Sequence, residues 1–426
     1  VPKAEGLLRQ VEASIKPFFT SLDATDGAWP EGIGYWNYGM SYGFMYLLSH
    51  EAATGRKHPL LRRKGVKKTV GFPLDFAPHG IGCSFGDVNR FRPLPIHYAM
   101  AQRLGRTDVC RAIDAILETT EQDNAWRPNA ALWPALHPGT RTKSSQSTER
   151  GVVRLYQGMD WAVLADRLPE PGFYLSLRGG DTNVPHSHLD LLSWHAVVGD
   201  EQLVINLSPT GYLDTTFSPR RNDLFEMRPE SKNTILVNGV GVAPGAMLKP
   251  ARKVAFPGGE GILFDASEAY GEMRDGPGVR FCARLALLLR RGKGVLLLDA
   301  VDLFHPGRAE VRLHASADVR SAKTGAVLRG ERASLRVAFA SNVESVTTTG
   351  ATSPTDPAAP SATVLRWASK ARTHRQMVFA TLLTPGRASS RVTLEAEGTG
   401  FRVACEGKGW NALLRTTARL RPRKRG

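Results

Sequence analysis

The chain has 426 residues, 42% hydrophobic and 23% charged, proportions of an ordinary globular protein with room for two or three domains. No apolar run approaches the roughly 20 residues that span a bilayer, so no transmembrane segment is expected. The net charge is +16, and six of those positives sit in the C-terminal RTTARLRPRKRG. Such a balance favours polyanionic partners: nucleic acid, anionic lipid or an acidic polysaccharide. No nucleic-acid-binding module accompanies the charge, which places nucleic acid last.

The first 136 residues read as helical. EGLLRQVEASIKPFF, YGMSYGFMYLLSHEAATG, LPIHYAMAQRLG and DVCRAIDAILETT carry apolar residues at helical spacing, with Asp108 as an N-cap for the last. Long connections rich in Gly, Pro and aromatics join them, of the kind that often carry function. Residues 137–151, HPGTRTKSSQSTERG, read as a linker. From 152 the pattern changes to short apolar or alternating runs, among them FYLSLR, LLSWHAVVG, NTILVNG and FCARLALLLRRGKGVLLLDAVD, with RRGKG as a hairpin turn. These predict an antiparallel β-sandwich over 152–305. A C-terminal β-sheet region with a basic tail is expected over 306–426. Cys83, Cys110, Cys282 and Cys405 are too scattered for a zinc finger or a disulfide framework.

Four stretches carry candidate chemistry. WPEGIGYWNYGMSY (29–42) places Glu31 and Asn37 among Tyr35, Trp36, Tyr38 and Tyr42. Aromatic faces beside a carboxylate and an amide grip sugars, although an aromatic core patch has the same composition. GIGCSFGDVNRFR (80–92), preceded by His79, offers Asp87, Asn89 and Arg90 to a cleft or to a glycine-rich turn; it lacks the Lys-Ser/Thr of a phosphate loop. DTNVPHSHLDLLSWH (181–195) read as a strand puts His186, His188 and Asp190 on one face, as metal ligands, a general base or a buried polar network. SPRRNDLFEMRPESKNTILVNG (218–239) supplies Arg220, Arg221 and Arg228, whose guanidinium forks suit carboxylates and sulfates.

In order, these segments resemble the heparinase II/III-like polysaccharide lyases: WPEGIGYWNYG, then FGD, then HSHLDLLSWHAVVGDEQLVINLSPTGY, then SKNTILVNG entering a strand. The resemblance covers roughly residues 15 to 245. It implies an α+β multidomain protein: an incomplete N-terminal (α/α) toroid, an antiparallel β-sandwich and a small C-terminal β-domain. With few helices to place, the chain reads as a member with a short toroid or as a piece trimmed from a longer protein. The implied reaction is β-elimination at the 4-position of a uronic acid in an acidic polysaccharide, in a cleft between toroid and sandwich. The implied location is periplasmic or secreted.

Carried over by motif, His186 matches the catalytic histidine, and Glu31 the carboxyl that meets the uronate carboxylate, with Asn37 as second candidate. Tyr38 and Tyr212 are candidates for the tyrosine acid, because CSFGD has no Tyr where the family places one. Trp36, Tyr35, His79, Arg90, Arg220, Arg221 and Arg228 are the substrate-binding candidates. His188 matches the first ligand of the family's structural zinc, but Asn206 and Lys232 stand at the other two ligand positions. An amide and an ammonium are poor replacements for a carboxylate and an imidazole, so no cofactor is expected. Lys232 is expected to take the metal's place, bonding His188 and Asn206. Two alternatives to the lyase remain from sequence: a non-catalytic acidic-glycan-binding relative, and a glycoside hydrolase using paired carboxylates such as Glu31 and Asp87.

Overall fold

The computed structural model describes residues 2–119, 148–271, 278–359, 361–370, 373–398 and 400–416. Most of the expected linker, 137–147, and most of the basic tail, 417–426, lie outside the described residues. The protein is α+β and divides into two compact units. One is Val1–Thr148 with Tyr156–Met159; the other is Glu149–Leu155 with Asp160–Gly426.

The first unit is helical: α1 (Pro2–Ser21), α2 (Ile33–Thr54), α3 (Lys64–Thr69), α4 (Phe72–Asp75), α5 (Pro95–Arg103) and α6 (Thr107–Thr119). α1, α2, α5 and α6 lie where apolar periodicity put them, whereas α3 and α4 are too short to show a period. α2 stops at Gly55, whose left-handed φ of 64° lets its N–H return to the Glu51 carbonyl. Asp108 does not cap α6; it lies inside the first turn and takes two hydrogen bonds from Arg106 at 2.8 and 2.7 Å. Phe19, Ile33, Trp36, Met40, Phe44, Phe72 and Phe76 fill the core. His97 is buried among Trp36, Phe44 and Phe91, and its Nδ1 accepts the Leu94 N–H at 3.1 Å. Burial pushes this imidazole down to about 3.

The second unit is built of sheets with antiparallel ladders. The first sheet runs β1 (Glu149–Tyr156), β2 (Trp161–Leu168), β3 (Phe173–Leu177), β4 (Trp194–Val198), β5 (Glu201–Val204), β11 (Ala309–Ala315), β16 (Thr363–Ser369), β15 (Ser345–Ala351), with β6 (Ile235–Val237) also paired to β11. The second runs β12 (Asp318–Ala322), β13 (Gly325–Arg329), β14 (Ser334–Ser341), β17 (His374–Pro385), β10 (Gly294–Gly307), β9 (Val279–Leu289), β8 (Gly259–Asp265), β7 (Lys249–Phe256). A short helix, α7 (Ser267–Gly271), joins β8 to β9. The third sheet has three strands: β18 (Arg391–Glu397), β19 (Gly400–Gly407) and β20 (Trp410–Thr416).

Alternate residues explain the layering. Leu288, Val295, Leu297 and Phe379 of the second sheet share a core with Leu164, Leu175, Trp194 and Trp367 of the first. Leu287, Leu289, Leu296 and Leu382 face the other way, under Val392, Val403 and Cys405 of the third sheet. Strands buried on both faces read as unbroken apolar runs, which is why ARLALLL and GVLLLD lack alternation. The expected division at 305/306 falls inside β10, and both large sheets draw strands from either side of it. Among the described residues only β18–β20 form a separate sheet. The turn-rich stretch after β15 leads back to its neighbour β16, a connection within one sheet.

Burial likewise pushes His314, on β11, down to about 3. Both His314 ring nitrogens nevertheless face acceptors, Asn233 Oδ1 at 3.0 Å and the Glu230 carbonyl at 3.2 Å, whereas His97 Nδ1 accepts and that imidazole is neutral in the folded protein. Unfolded, His97 protonates near pH 6.5, so the unfolded state binds more protons below that pH and stability falls on acidification by about 1.4 kcal/mol per unit. Urea midpoints taken from about pH 7 to about 5 are expected to drop accordingly, and a His97→Asn variant to show a flatter dependence. The same slope in both proteins would contradict this assignment.

Candidate functional site

In the β-rich unit the histidine motif is not a strand. Residues 182–193 form a looped segment ahead of β4, and His186 takes a left-handed φ of 63°. The shared face expected for His186, His188 and Asp190 is thereby lost: His186 is half-buried, whereas His188 and Asp190 are buried. The expectation failed because alternation over five residues also arises in a loop whose polar groups are paired one at a time.

Each pairing is visible. Asp190 forms a buried ion pair with Arg178 at 2.5 Å, and the Arg178 guanidinium lies 5.1 Å from the centre of the Trp161 ring. The Leu189 N–H reaches the Met227 carbonyl at 2.9 Å, and the Thr234 hydroxyl reaches the Leu191 carbonyl at 2.7 Å. Arg284 grips Asp299 through two bonds of 2.6 and 2.9 Å and also donates to the carbonyls of Leu192 and Asn233. Nearer the tip, the Ser187 hydroxyl bonds the Thr182 carbonyl at 2.6 Å. Arg221 reaches across to the Ser187 carbonyl at 2.9 Å.

Lys232 is fully buried, with Nζ 2.9 Å from His188 Nδ1 and bonded to the Leu207 carbonyl. An ammonium has no lone pair, so His188 Nδ1 accepts and the imidazole is the neutral tautomer protonated at Nε2. Asn206, expected as the second partner of Lys232, is used differently. Its Oδ1 accepts the Asn233 N–H at 3.0 Å, and its Nδ2 lies 3.1 Å from Ser193 Oγ and 3.4 Å from His195 Nε2. These residues do not fit the zinc implied by the resemblance. The His188 lone pair faces a cation, and the other two positions offer an amide and an ammonium. Among the described residues no group of three His, Cys, Asp or Glu is placed to hold a metal.

Around His186 the surface is aromatic. The Phe217 ring lies edge-on at 6.1 Å and the Tyr212 ring lies 4.8 Å beyond it; Phe217 is 68% and Tyr212 50% exposed. The structure thus brings His186, Tyr212 and Arg221 to one loop cluster and adds Phe217, an exposed Phe in a polar loop that sequence reasoning passed over. Arg220 and Arg228 are exposed; Arg220 pairs with Asp223 at 3.0 Å, and Arg228 Nε donates to the Asn222 carbonyl at 3.0 Å. Of the three arginines, Arg221 alone is shown tying down the histidine loop.

In the helical unit, the 82–90 loop packs on the start of α2. The Ser84 hydroxyl accepts the Ile33 N–H at 3.2 Å, and a Cβ at Gly32 (φ 92°) would lie 2.5 Å from the Phe85 carbonyl oxygen. Glu31 and Tyr35 are half-buried there, and Asp87 is buried. Asn37 is half-buried, with a solvent-shielded Oδ1 that lacks a hydrogen-bond partner. Tyr38 is 62% exposed and stacks edge-on with Tyr42 at 5.1 Å. Trp36 is a correction: it is core, 1% exposed, with Nε1 bonded to Thr69 Oγ1 at 2.7 Å, and its ring is not offered to a ligand. Asn89 serves the glycine-rich turn, accepting from Ser84 N and donating to Gly82 O. His79 and Arg90 are exposed.

Lys232 and His188 bond each other out of water, so removing either takes one partner from a buried polar group. Lys232→Met is expected to cost about 2–4 kcal/mol, and His188→Leu about 3–5 kcal/mol because it takes a partner from a buried ammonium. Urea unfolding measures both; wild-type midpoints in either variant would contradict the pairing.

No family model matches the sequence, and no curated protein does. Solved structures do. Heparinase III superposes over 95% of this chain with a TM-score of 0.69 at 11% identity, and a second heparinase III structure over 89% with 0.62 at 8%. A heparan sulfate lyase mutant from Pedobacter heparinus superposes over 75% with 0.54 at 9%. The chain spans 62%, 57% and 56% of those three proteins, respectively. The chain has a heparinase-like lyase fold.

Proposed function

We propose that the protein is a polysaccharide lyase acting on a uronate-containing acidic glycan. The observation that carries the reading is His186. Its imidazole stands half-exposed on a loop fixed from beneath by buried ion pairs and backbone bonds, beside Phe217 and Tyr212. A rigidly held imidazole with an aromatic neighbour for a sugar face and a phenol nearby suits proton abstraction from a pyranose. The likeness in fold to heparinase III supports the same reading, and under it the helical unit is the short (α/α) toroid.

In this reaction the C5 proton leaves to a base and the C4–O bond breaks. The C4=C5 double bond forms between them, and the departing glycosidic oxygen takes a proton from an acid. His186 is proposed as the base and Tyr212 as the acid, with Tyr38 the alternative from the helical unit. The C5 proton becomes acidic only when the adjacent carboxylate is neutralised, a role proposed for protonated Glu31 and for Asn37. In that role Asn37 would donate through Nδ2, while its solvent-shielded, unsatisfied Oδ1, an acceptor, suits a sugar hydroxyl. Tyr35, His79, Arg90, Arg220 and Arg228 are proposed to bind substrate. A periplasmic or secreted location fits a polymeric substrate.

Ultraviolet absorbance of the unsaturated uronate tests the proposal on a panel of glycosaminoglycans and other uronans. His186→Ala is expected to lower turnover at least about 100-fold while glycan affinity stays within a factor of about three. Glu31→Gln is expected to lower it less, because an amide can still donate to the carboxylate. Binding without product from any polymer would favour a non-catalytic glycan-binding protein instead, a reading that the absence of Tyr from CSFGD motivates.

A further inference from the structure

A second concave surface lies wholly within the β-rich unit, away from the histidine loop in sequence. It is a groove of about 740 Å³ on the second sheet, bounded by the β12–β13 hairpin, the face of β14 and the start of β18. Strand register builds it. Arg320 pairs with Val327 and Val327 with Arg336, placing the two arginines on one row of the outward face. The next row is Ala322, Gly325 and Ala338, so the floor beside the charged row stays low. Gly325 has no substitute there: at φ 155° its Cβ would lie 2.1 Å from the Val337 carbonyl oxygen. Inward-facing Leu328, Leu335 and Val337 anchor the same strands in the core.

The groove is cationic. Arg320, Lys323 and Arg391 are exposed on its rim, and Arg336 is half-buried with a solvent-shielded Nε that has no hydrogen-bond partner. Its acidic lining residue, Glu344, is engaged by Lys370 at 2.7 Å. Glu344 also feels the Lys323 charge, whereas among the described residues no carboxylate pairs with Arg320, Arg336 or Arg391. Like charges gathered in a concavity repel one another unless an anion enters, and arginine forks suit sulfate and carboxylate. The volume is that of an oligosaccharide-sized site. Phe339, the aromatic lining residue, is 5% exposed, so no ring is presented for stacking a nucleic-acid base.

We propose that this groove is an accessory binding site for an acidic glycan segment, holding sulfates or carboxylates between Arg320, Arg336 and Arg391. It rests on the acidic-glycan reading of the protein but not on catalysis.

Fluorescence anisotropy with a labelled heparan sulfate decasaccharide tests it on the full chain. The Arg320→Ser/Arg336→Ser/Arg391→Ser variant is expected to lose at least about tenfold in affinity. A control removing three exposed cations elsewhere, Arg56→Ser/Lys57→Ser/Lys67→Ser, should lose less than about twofold at physiological salt. Product formation from a short uronate oligosaccharide should be unchanged in the groove variant, and thermal melting should show it folded. Equal losses in the two variants, or none in either, overturn the groove, as does displacement of the decasaccharide more readily by poly-glutamate than by unlabelled decasaccharide. Absence of product from the wild type, with groove-dependent binding intact, overturns the lyase reading alone.

Discussion

The Lys232 ammonium, taken out of water and held by His188 Nδ1 and the Leu207 carbonyl, is the interaction on which the candidate site depends. Residues 182–193 have no strand ladder of their own, so their backbone and side-chain polar groups must be satisfied individually. A buried charge is tolerable only with good partners, and here it joins three segments far apart in sequence: the histidine loop, the stretch after β5 and the approach to β6. Asp190–Arg178 and Asp299–Arg284 do the same at the other end of the loop.

Much of this was legible in the sequence. The four longer helices showed their period, and the unbroken apolar runs of β9 and β10 announced strands covered on both faces. The buried Arg284–Asp299 pair across the hairpin shows only in the ladder, which places the two residues opposite each other. His188, Asn206 and Lys232 were also readable as one set, and Lys232 Nζ lies 2.9 Å from His188 Nδ1.

Other features were hidden for physical reasons. A polar, alternating pentapeptide is the same string in a strand and in a paired loop, and the difference lies in Arg178, Met227 and Thr234, which come from elsewhere in the chain. Trp36 looked like a sugar platform because an aromatic patch that packs and one that binds have the same composition; its burial and its bond to Thr69 separate them. The mixing of strands across residue 305 is a long-range pairing choice that no local pattern encodes. The cationic row on β12–β14 is invisible in sequence for the same reason, since Arg320 and Arg336 become neighbours only through register.

A lysine here does structurally what a metal would otherwise do, and the β-elimination proposed at His186 is then independent of metal. The direct measurement is the rate of unsaturated-product formation by protein dialysed against a strong chelator, with zinc content determined on the same sample. The expected result is an undiminished rate without stoichiometric zinc. Loss of the rate on chelation, with recovery on adding zinc, would contradict it.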